Sequence, residues 1–314
     1  MRRVAAYLGL YQRHELAIRV ERARKYLENC EVCPHCCHVD RLAGQIGRCR
    51  TGALAIVSSY GPHFGEEAPL VGNRGSGTIF FTNCNLKCVF CQNYSISQLG
   101  EGREVTREEL AGMMLSLQQR GCHNINLVTP THVVPQILEA LELAIAKGLS
   151  VPLVYNSGGY ESVETLKLLE GIVDIYMPDM KYSDDEIAQK CSGIEDYPSV
   201  NRMAVKEMHR QVGDLEVDGQ RVATRGLLVR HLVLPQQLAG TREVARFLAE
   251  EISLNTYLNV MAQYHPCHKA FHFPELSRSL TREEFLEAVN LARQQGLQRL
   301  DGIHPHSIRR ILFR

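Results

Sequence analysis

The alternation of strand and helix patterns from about residue 77 onward constrains the fold more than any other feature. Six short runs rich in β-branched and aromatic residues are typical of buried strands. They lie at residues 78–81, 124–128, 151–155, 172–177, 227–234 and 257–263. Apolar residues recur at helical spacing between them, and Thr106 and Thr281 each begin a capping box. Strands separated by helices pair in parallel, so we expect an α/β barrel, complete or partial, or an open sheet.

The first 76 residues lack this alternation. After an N-terminal helix, the segment from Cys30 to Gly52 is rich in cysteine and glycine, which predicts a separate metal-binding module. We therefore divide the chain into residues 1–76, the N-terminal helix and Cys-rich module, residues 77–300, the barrel, and residues 301–314, a tail. Asp218-Gly219 predicts a small hairpin before the fifth strand.

Charge and hydropathy exclude some classes of function. Lysine and arginine number 35 and balance 35 aspartates and glutamates, so the chain lacks the excess positive charge of nucleic-acid-binding proteins. Residues 2–28 contain no apolar signal sequence, and no later apolar run approaches the roughly 20 residues that span a bilayer. We expect a cytoplasmic protein that binds neither membranes nor nucleic acid.

Cysteine is concentrated in the first third of the chain. Eight of the 11 cysteines fall within the first 91 residues, and Cys122, Cys191 and Cys267 are scattered. The cytosol keeps thiols reduced, so grouped cysteines there bind metal more often than they form disulfides. The scattered three are expected to be small buried apolar residues.

One cysteine group directly follows the first barrel strand. Cys84, Cys88 and Cys91 are spaced CxxxCxxC. Three thiolates can bind only three irons of a cubane cluster that normally takes four, which leaves one iron open. A zinc loop would need a fourth ligand at regular spacing. The pattern therefore predicts a [4Fe-4S] cluster at the edge of the sheet where α/β proteins carry their chemistry.

This loop, with Phe90 before its last cysteine, resembles the radical S-adenosylmethionine (SAM) superfamily, whose signature is CxxxCx(aromatic)C. Further segments resemble the pyruvate formate-lyase activating enzyme-related family and cover nearly the whole chain. They are residues 30–41, 75–81, 91–98, 176–182, 230–235 and 261–264. The resemblance implies a (β/α)6 partial TIM barrel that cleaves SAM reductively to a 5′-deoxyadenosyl radical, with a flavodoxin or ferredoxin as electron donor.

The resemblance also implies which residues bind SAM. Arg230 faces the SAM carboxylate, Asn156 and Ser157 lie near the ribose, and Gln263 lies near the adenine. The sequence departs from the family after the second strand, where Thr129 and Thr131 replace the Gly-Gly-Glu that holds the SAM amine. The complete predicted set is Phe90, Asn93, Thr129, Thr131, Asn156, Ser157, Asp179, Lys181, Arg230 and Gln263.

The second cysteine group consists of Cys30, Cys33, Cys37 and Cys49, which the resemblance marks as the family's set. Their spacing fits zinc, which would stabilise a small domain, or an iron–sulfur centre, which could transfer electrons. Spacing does not separate these two, and reduced cysteines without metal are the third alternative.

A partial barrel leaves a lateral opening that suits a peptide, so we expect a radical SAM enzyme that activates or modifies a protein, as glycyl-radical activases do. One alternative is a radical SAM enzyme that acts on a small metabolite. The other is a non-catalytic iron–sulfur protein that transfers electrons or acts as a sensor. The three-cysteine loop disfavours this last class, because electron carriers normally complete the coordination with a fourth protein ligand.

Overall fold

A computed structural model describes residues 4–301, so the predicted tail beyond residue 301 lies outside the described residues. Within this range the chain forms one ten-stranded sheet flanked by helices. The strands are β1 (Ala55–His63), β2 (Ser76–Phe81), β3 (Arg103–Val105), β4 (Ile125–Val128), β5 (Leu153–Ser157), β6 (Ile175–Pro178), β7 (Glu216–Val217), β8 (Ala223–Leu232), β9 (Tyr257–Met261) and β10 (Leu300–Asp301).

The described residues form eleven α-helices. They are α1 (Tyr7–Gln12), α2 (Glu15–Glu28), α3 (Ala68–Val71), α4 (Tyr94–Ser97), α5 (Arg107–Gln119), α6 (Val134–Ala146), α7 (Val163–Leu168), α8 (Asp185–Ser192), α9 (Tyr197–Val212), α10 (Thr241–Phe247) and α11 (Arg282–Gln294). Both capping boxes are confirmed: Thr106 accepts from the Glu109 amide before α5, and Thr281 accepts from the Glu284 amide before α11.

The sheet has the order β10-β9-β8-β6-β5-β4-β2-β1-β3, and β7 pairs with β8. β2, β4, β5, β6, β8, β9 and β10 pair in parallel, as the alternation predicts. β7 joins β8 antiparallel, which confirms the hairpin at Asp218-Gly219. The six predicted strands all form, and the mixed α/β class with a parallel-rich sheet is confirmed. It is consistent with a partial TIM barrel.

The predicted boundary at residue 76 does not divide the structure. β1 pairs antiparallel with β2 over residues 57–63 and with β3 over residues 55–57, so residues from both sides of the boundary share one sheet. Buried residues of α1 and α2, among them Tyr7 and Leu16, also belong to the main hydrophobic core. Gly61 and Pro62 lie inside β1 and weaken its strand pattern, which explains why the sequence does not indicate this strand.

Two separate apolar clusters lie on the two faces of the sheet. The large one fills the layer between the strands and the outer helices. The small one contains Leu70 of α3 with residues of β5, β6 and β8, namely Val154, Ile175, Met177 and Leu228. We call the space enclosed by this second face the barrel interior, and α3 closes its lower end. Among the described residues, no helix is long and apolar enough to cross a membrane.

Candidate functional site

The loop that follows β2 brings the three predicted cluster ligands to the C-terminal edge of the sheet. Asn83 makes the turn with a positive φ of 70° and is buried. Its side-chain amide donates to Thr51 Oγ1 at 3.1 Å, which fixes the beginning of the loop. Asparagine tolerates this left-handed conformation better than most residues. Cys84 therefore leaves the strand in a defined direction.

Each sulfur of this loop lies near a hydrogen-bond donor. The Leu86 amide donates to Cys84 Sγ at 3.3 Å, Ser192 Oγ donates to Cys88 Sγ at 3.0 Å, and Ser97 Oγ lies 3.2 Å from Cys91 Sγ. Burial, and then the charge of Cys88, raises the pKa of Cys84 and of Cys91. The three thiols thus share a partly desolvated pocket with donors that suit thiolates. This donor set fits a [4Fe-4S] cluster, whose sulfurs are normally hydrogen-bonded.

Four of the predicted SAM residues meet in one network at the ends of β5, β6 and β8. Arg230 Nε donates to Asp179 Oδ1 at 2.9 Å, and Arg230 Nη2 donates to Asn156 Oδ1 at 2.7 Å. Lys181 Nζ donates to the other carboxylate oxygen of Asp179 at 2.5 Å. The network faces the barrel interior, because Asn156 and Arg230 lie two residues beyond the interior residues Val154 and Leu228.

Electrostatics keep this network fully charged. Burial alone would raise the pKa of Asp179, but Arg230 and Lys181 outweigh it and hold that pKa below its usual range. Burial opposes the charge of Lys181, yet Asp179 and then Cys88 raise its pKa. Lys181 therefore links the network to the cysteine loop. Two cations share the carboxylate of Asp179, so the network can accept a further carboxylate such as that of SAM.

Thr131 and Ser157 do not point toward this network. Thr131 Oγ1 donates to Glu161 Oε1 at 2.6 Å, Tyr155 donates to Glu161 Oε2 at 3.0 Å, and all three residues are buried. Ser157 bonds the same carboxyl group, and burial raises the pKa of Glu161 to about 7 despite these bonds. The two hydroxyls therefore satisfy a buried carboxyl group on the outer face of the sheet, and no pattern in the sequence indicates this group.

The remaining predicted SAM residues occupy varied positions around the loop. Phe90 is buried, with its ring edge-on to Tyr182 and Tyr264 at centroid distances of 6.3 and 5.8 Å. Thr129 has a positive φ of 60°, and its amide donates to the Asn156 carbonyl at 2.8 Å. Asn93 and Gln263 are exposed.

Glu67 approaches the network from the side of α3, and no pattern in the sequence marks it as a site residue. It precedes α3, is buried, and accepts from Asn259 Nδ2 at 2.9 Å through Oε1. The same oxygen lies 4.0 Å from Arg230 Nε. Burial raises the pKa of Glu67, and Arg230 opposes this shift. A single carboxylate before a four-residue helix has no periodic pattern, so only the tertiary structure reveals its role.

The N-terminal cysteines lie close together. Cys30, Cys33 and Cys49 are buried, Cys37 is half-buried, and Cys36 is exposed. Burial raises the pKa of Cys33 well above its ordinary value, and the charges of Cys49, Cys30 and Cys37 raise it further. The four predicted ligands are therefore electrostatic neighbours. Cys122 and Cys191 are buried, as expected for apolar packing residues, whereas Cys267 is only half-buried, so the prediction is wrong for it.

Neither cysteine group converges on a single ion. Within residues 4–301, no three His, Cys, Asp or Glu side chains are arranged to hold one metal ion. This arrangement does not disfavour a cubane cluster, because each of its thiolates binds a different iron atom. A zinc site requires four sulfurs at about 2.3 Å from one point, so zinc would require the N-terminal side chains to move.

A buried arginine accompanies the N-terminal cysteines. Arg41 is 1% exposed, and it donates to the carbonyls of Gly52 at 3.0 Å and of His132 at 2.9 Å. Its Nη1 lies 4.0 Å from Cys30 Sγ, and its Nη2 has no partner among the described residues. The described chain forms no ion pair between Arg41 and a carboxylate. A buried guanidinium without a counter-charge is costly, so this site favours an anion.

The Cys-rich segment, residues 30–52, packs directly against the cluster loop. His35 Nε2 donates to the Asn85 carbonyl at 2.8 Å, and Arg50 donates to the Gln98 carbonyl. His132, whose carbonyl accepts from Arg41, donates through Nε2 to the Thr82 carbonyl at 2.9 Å. The sequence predicts a separate module here, and the structure instead shows a segment in contact with both ends of the cluster loop.

Comparison with known proteins identifies the family. Residues 78–213, which span β2 to the end of α9, match the sequence profile of the radical SAM superfamily. An uncharacterised protein of Methanocaldococcus jannaschii is 34% identical over 292 residues, which cover 90% of this chain and 79% of that protein. The similarity to this relative therefore includes the Cys-rich segment and the barrel.

One solved structure supports the fold, and a second is reported with it. HydG, a maturase of the [FeFe]-hydrogenase, matches 73% of this chain with a TM-score of 0.50 at 13% identity, over 52% of its own length. A radical SAM methyltransferase from Sphaerobacter thermophilus matches with a TM-score of 0.47 at 14% identity, over 70% of this chain and 64% of its own. The chain thus spans about half to two thirds of these proteins. From its family profile, its cysteine loop and its parallel sheet, the chain belongs to the radical SAM superfamily.

Proposed function

We propose that this protein reductively cleaves SAM and uses the resulting radical to activate or modify a peptide or protein. The observation that supports the first part is the position of the Asn156, Asp179, Lys181 and Arg230 network beside the cysteine loop. When bound, the [4Fe-4S] cluster and SAM supply one-electron chemistry that protein side chains lack.

The chain's own residues bind and orient SAM in this proposal. Cys84, Cys88 and Cys91 hold the cluster, and Ser192 and Ser97 donate to the sulfurs of Cys88 and Cys91. Arg230 and Lys181 face the SAM carboxylate, and Asn156 faces the ribose. Thr131 and Ser157 are left out of this site, because both already bond the Glu161 carboxyl group.

The open sheet supports a peptide or protein as the substrate. In the described part of the chain, β3 and β10 end the sheet and do not pair with each other, so the barrel has a lateral opening. An extended chain can reach the interior through such an opening. A glycyl radical on that chain is the modification that the sequence resemblance favours. A flavodoxin or ferredoxin is the proposed electron donor, and the cytoplasm is the proposed compartment.

A second metal centre at Cys30, Cys33, Cys37 and Cys49 is part of the same proposal. Arg41 supports it, since four thiolates around Zn²⁺ or a [4Fe-4S]²⁺ core carry a net negative charge that a buried guanidinium would compensate. Metal analysis separates the two forms: about one zinc per chain indicates a structural site, and about four additional irons indicate a second cluster.

The test is anaerobic incubation of reconstituted protein with SAM and dithionite, followed by chromatography of methionine and 5′-deoxyadenosine. We expect both products from the wild type and neither from Cys88→Ala. Cys122→Ala, which changes a buried cysteine between α5 and β4, should behave as the wild type. Iron-loaded protein that neither binds nor cleaves SAM would contradict the proposal and indicate an electron carrier.

The substrate class is tested by adding cell extract separated by size. Stimulation of 5′-deoxyadenosine formation by the macromolecular fraction, abolished by protease treatment, supports a peptide or protein substrate. Stimulation by the small-molecule fraction alone would contradict that choice and identify the protein as an enzyme of metabolism.

A further inference from the structure

The barrel interior contains polar atoms that the SAM network does not use. Asn126 lies on β4, where its backbone is in register with Thr78 of β2 and Val154 of β5. Val154 belongs to the small apolar cluster, and neighbours in register on a parallel sheet share a face, so Asn126 also faces the interior. It lies one layer below Asn156 and therefore below the SAM network.

Both polar atoms of the Asn126 side chain lack a hydrogen-bond partner within residues 4–301, and the residue is 0% exposed. Asn124, two residues earlier on the same face, provides the contrast. Its Nδ2 donates to the Leu70 carbonyl of α3 at 2.9 Å, and its Oδ1 accepts from Ser76 Oγ at 2.7 Å. Buried side-chain amides are normally satisfied in this way. A primary amide with a free donor and a free acceptor is therefore unusual.

A second residue with an unpartnered atom lies in the same interior. Glu67 reaches in from the beginning of α3, and only its Oε1 is used, by Asn259. Its Oε2 is buried and has no partner in the described chain. Asn259 is in register with Arg230, and Tyr257 on the same strand packs on the small apolar cluster. The Glu67 carboxylate, which Asn259 contacts, therefore lies between α3 and the SAM network.

We infer that Asn126 and Glu67 form a subsite in the barrel interior for a backbone amide group of the substrate. A peptide unit offers one N–H and one C=O, and the free atoms of Asn126 are complementary to both. Glu67 Oε2 accepts the N–H of the adjoining peptide unit. A glycyl unit fits best, because the interior residues Val154, Ile175 and Met177 leave little space for a substrate side chain. This inference rests on the proposed function and specifies its substrate class.

The position of the subsite, below the SAM network, suits transfer of a hydrogen atom from the substrate to the C5′ radical. When bound, SAM would accept one electron from the donor and break its bond between C5′ and sulfur, which would release methionine and leave the radical at C5′. The C5′ radical then takes a hydrogen atom from the glycyl α-carbon, so one C–H bond breaks and one forms at C5′. The unpaired electron remains on the glycyl carbon. Hydrogen bonds to the peptide units on both sides of that carbon would hold it below the SAM network.

Stability of the ligand-free protein gives the first test. An unpaired buried amide is costly, so Asn126→Leu, which is nearly isosteric, should raise the melting temperature by a degree or more. Asn124→Leu is the matched control and should lower it, because it leaves Ser76 and the Leu70 carbonyl without their partner. A lower melting temperature for Asn126→Leu as well would show that internal groups or waters already satisfy Asn126, and would overturn the subsite.

Deuterium transfer gives the second test. The probe is N-acetylglycinamide deuterated at its α-carbon, and the control probe is the same compound with every amide nitrogen fully methylated. We expect deuterium in the 5′-deoxyadenosine formed with the first probe only, and a deuterated fraction about tenfold lower in Asn126→Leu and in Glu67→Gln. Using the fraction rather than the amount corrects for any change in SAM cleavage.

The outcomes separate the two proposals. If the wild type forms no 5′-deoxyadenosine, the proposed function fails. If it forms 5′-deoxyadenosine without deuterium from the first probe, or with equal deuterium from both probes, SAM cleavage stands and the subsite is wrong. Equal deuterated fractions in the wild type and both variants would likewise overturn it.

Discussion

Replacing Arg41 by methionine should destabilise the metal-loaded protein and leave the stability of the metal-free protein nearly unchanged. Arg41 is 1% exposed, and its two carbonyl hydrogen bonds, at 2.9 and 3.0 Å, are each worth about 1.5–3 kcal/mol because the donor is charged. Desolvation of an unpaired guanidinium costs several kcal/mol. These contributions nearly cancel when no counter-charge is present.

Metal binding changes this balance. Four thiolates around Zn²⁺ or a [4Fe-4S]²⁺ core leave a net charge near −2, and the nearest sulfur, Cys30 Sγ, lies 4.0 Å from Arg41 Nη1. At that separation and with an effective dielectric constant of 20, the Arg41 guanidinium and one unit of negative charge on the metal site attract each other by about 4 kcal/mol. Arg41→Met should therefore cost the loaded protein about 4 kcal/mol more than the metal-free protein.

The assay is anaerobic urea unfolding before and after chelator treatment, with zinc and iron measured in each sample. Arg225→Met is the matched control, because Arg225 also donates to two carbonyls, those of Val212 and Gln211, and lies far along the chain from these cysteines. The control should lose equal stability with and without metal. Equal losses for Arg41→Met in the two states would refute the counter-ion role of Arg41.

Three further predictions follow from the site. Arg230→Ala should weaken SAM binding by about 1.5–3 kcal/mol in a calorimetric titration, and unchanged affinity would remove Arg230 from the site. Burial raises the pKa of Glu161 from 4.5 to about 7, so the native state binds the proton more tightly. The free energy of unfolding should fall by about 3 kcal/mol as the pH rises through that window, and Glu161→Gln should lack this fall. Cys33→Ser/Cys37→Ser should loosen the cluster loop, because the contact between His35 and Asn85 would be lost, and proteolysis of that loop should become faster. Unchanged proteolysis would show that the Cys-rich segment holds its place without metal.

The parts of the fold with local signals could be predicted from the sequence. The six strands have dense β-branched runs, and Thr106 and Thr281 carry both halves of a capping box, so their positions follow from short-range chemistry. β1 could not be predicted in this way. Val57 pairs with Phe81, 24 residues further along the chain, and Ala55 pairs with Val105, 50 residues further along. No local pattern encodes such contacts.

The site residues divide in the same way, into those with a local sequence signal and those without one. Asn156, Asp179, Lys181 and Arg230 each follow or lie on a predicted strand, so the rule that strand ends meet brings them together. Thr131 and Ser157 satisfy the same rule but turn to Glu161, a residue in a loop whose burial only the tertiary structure reveals. The role of Arg41 likewise has no local signal in the sequence, because its partners are two carbonyls at residues 52 and 132.

The assignment of Cys84, Cys88 and Cys91 to a SAM-cleaving cluster is tested most directly by comparing the wild type with the Cys84→Ala/Cys88→Ala/Cys91→Ala variant after anaerobic reconstitution. Iron content, the absorbance of the cluster and 5′-deoxyadenosine formed with SAM and dithionite are measured on the same samples. The variant should lose about four irons per chain and all 5′-deoxyadenosine, while any metal at the N-terminal cysteines remains. Equal iron content in the two proteins, or SAM cleavage by the variant, would contradict this assignment.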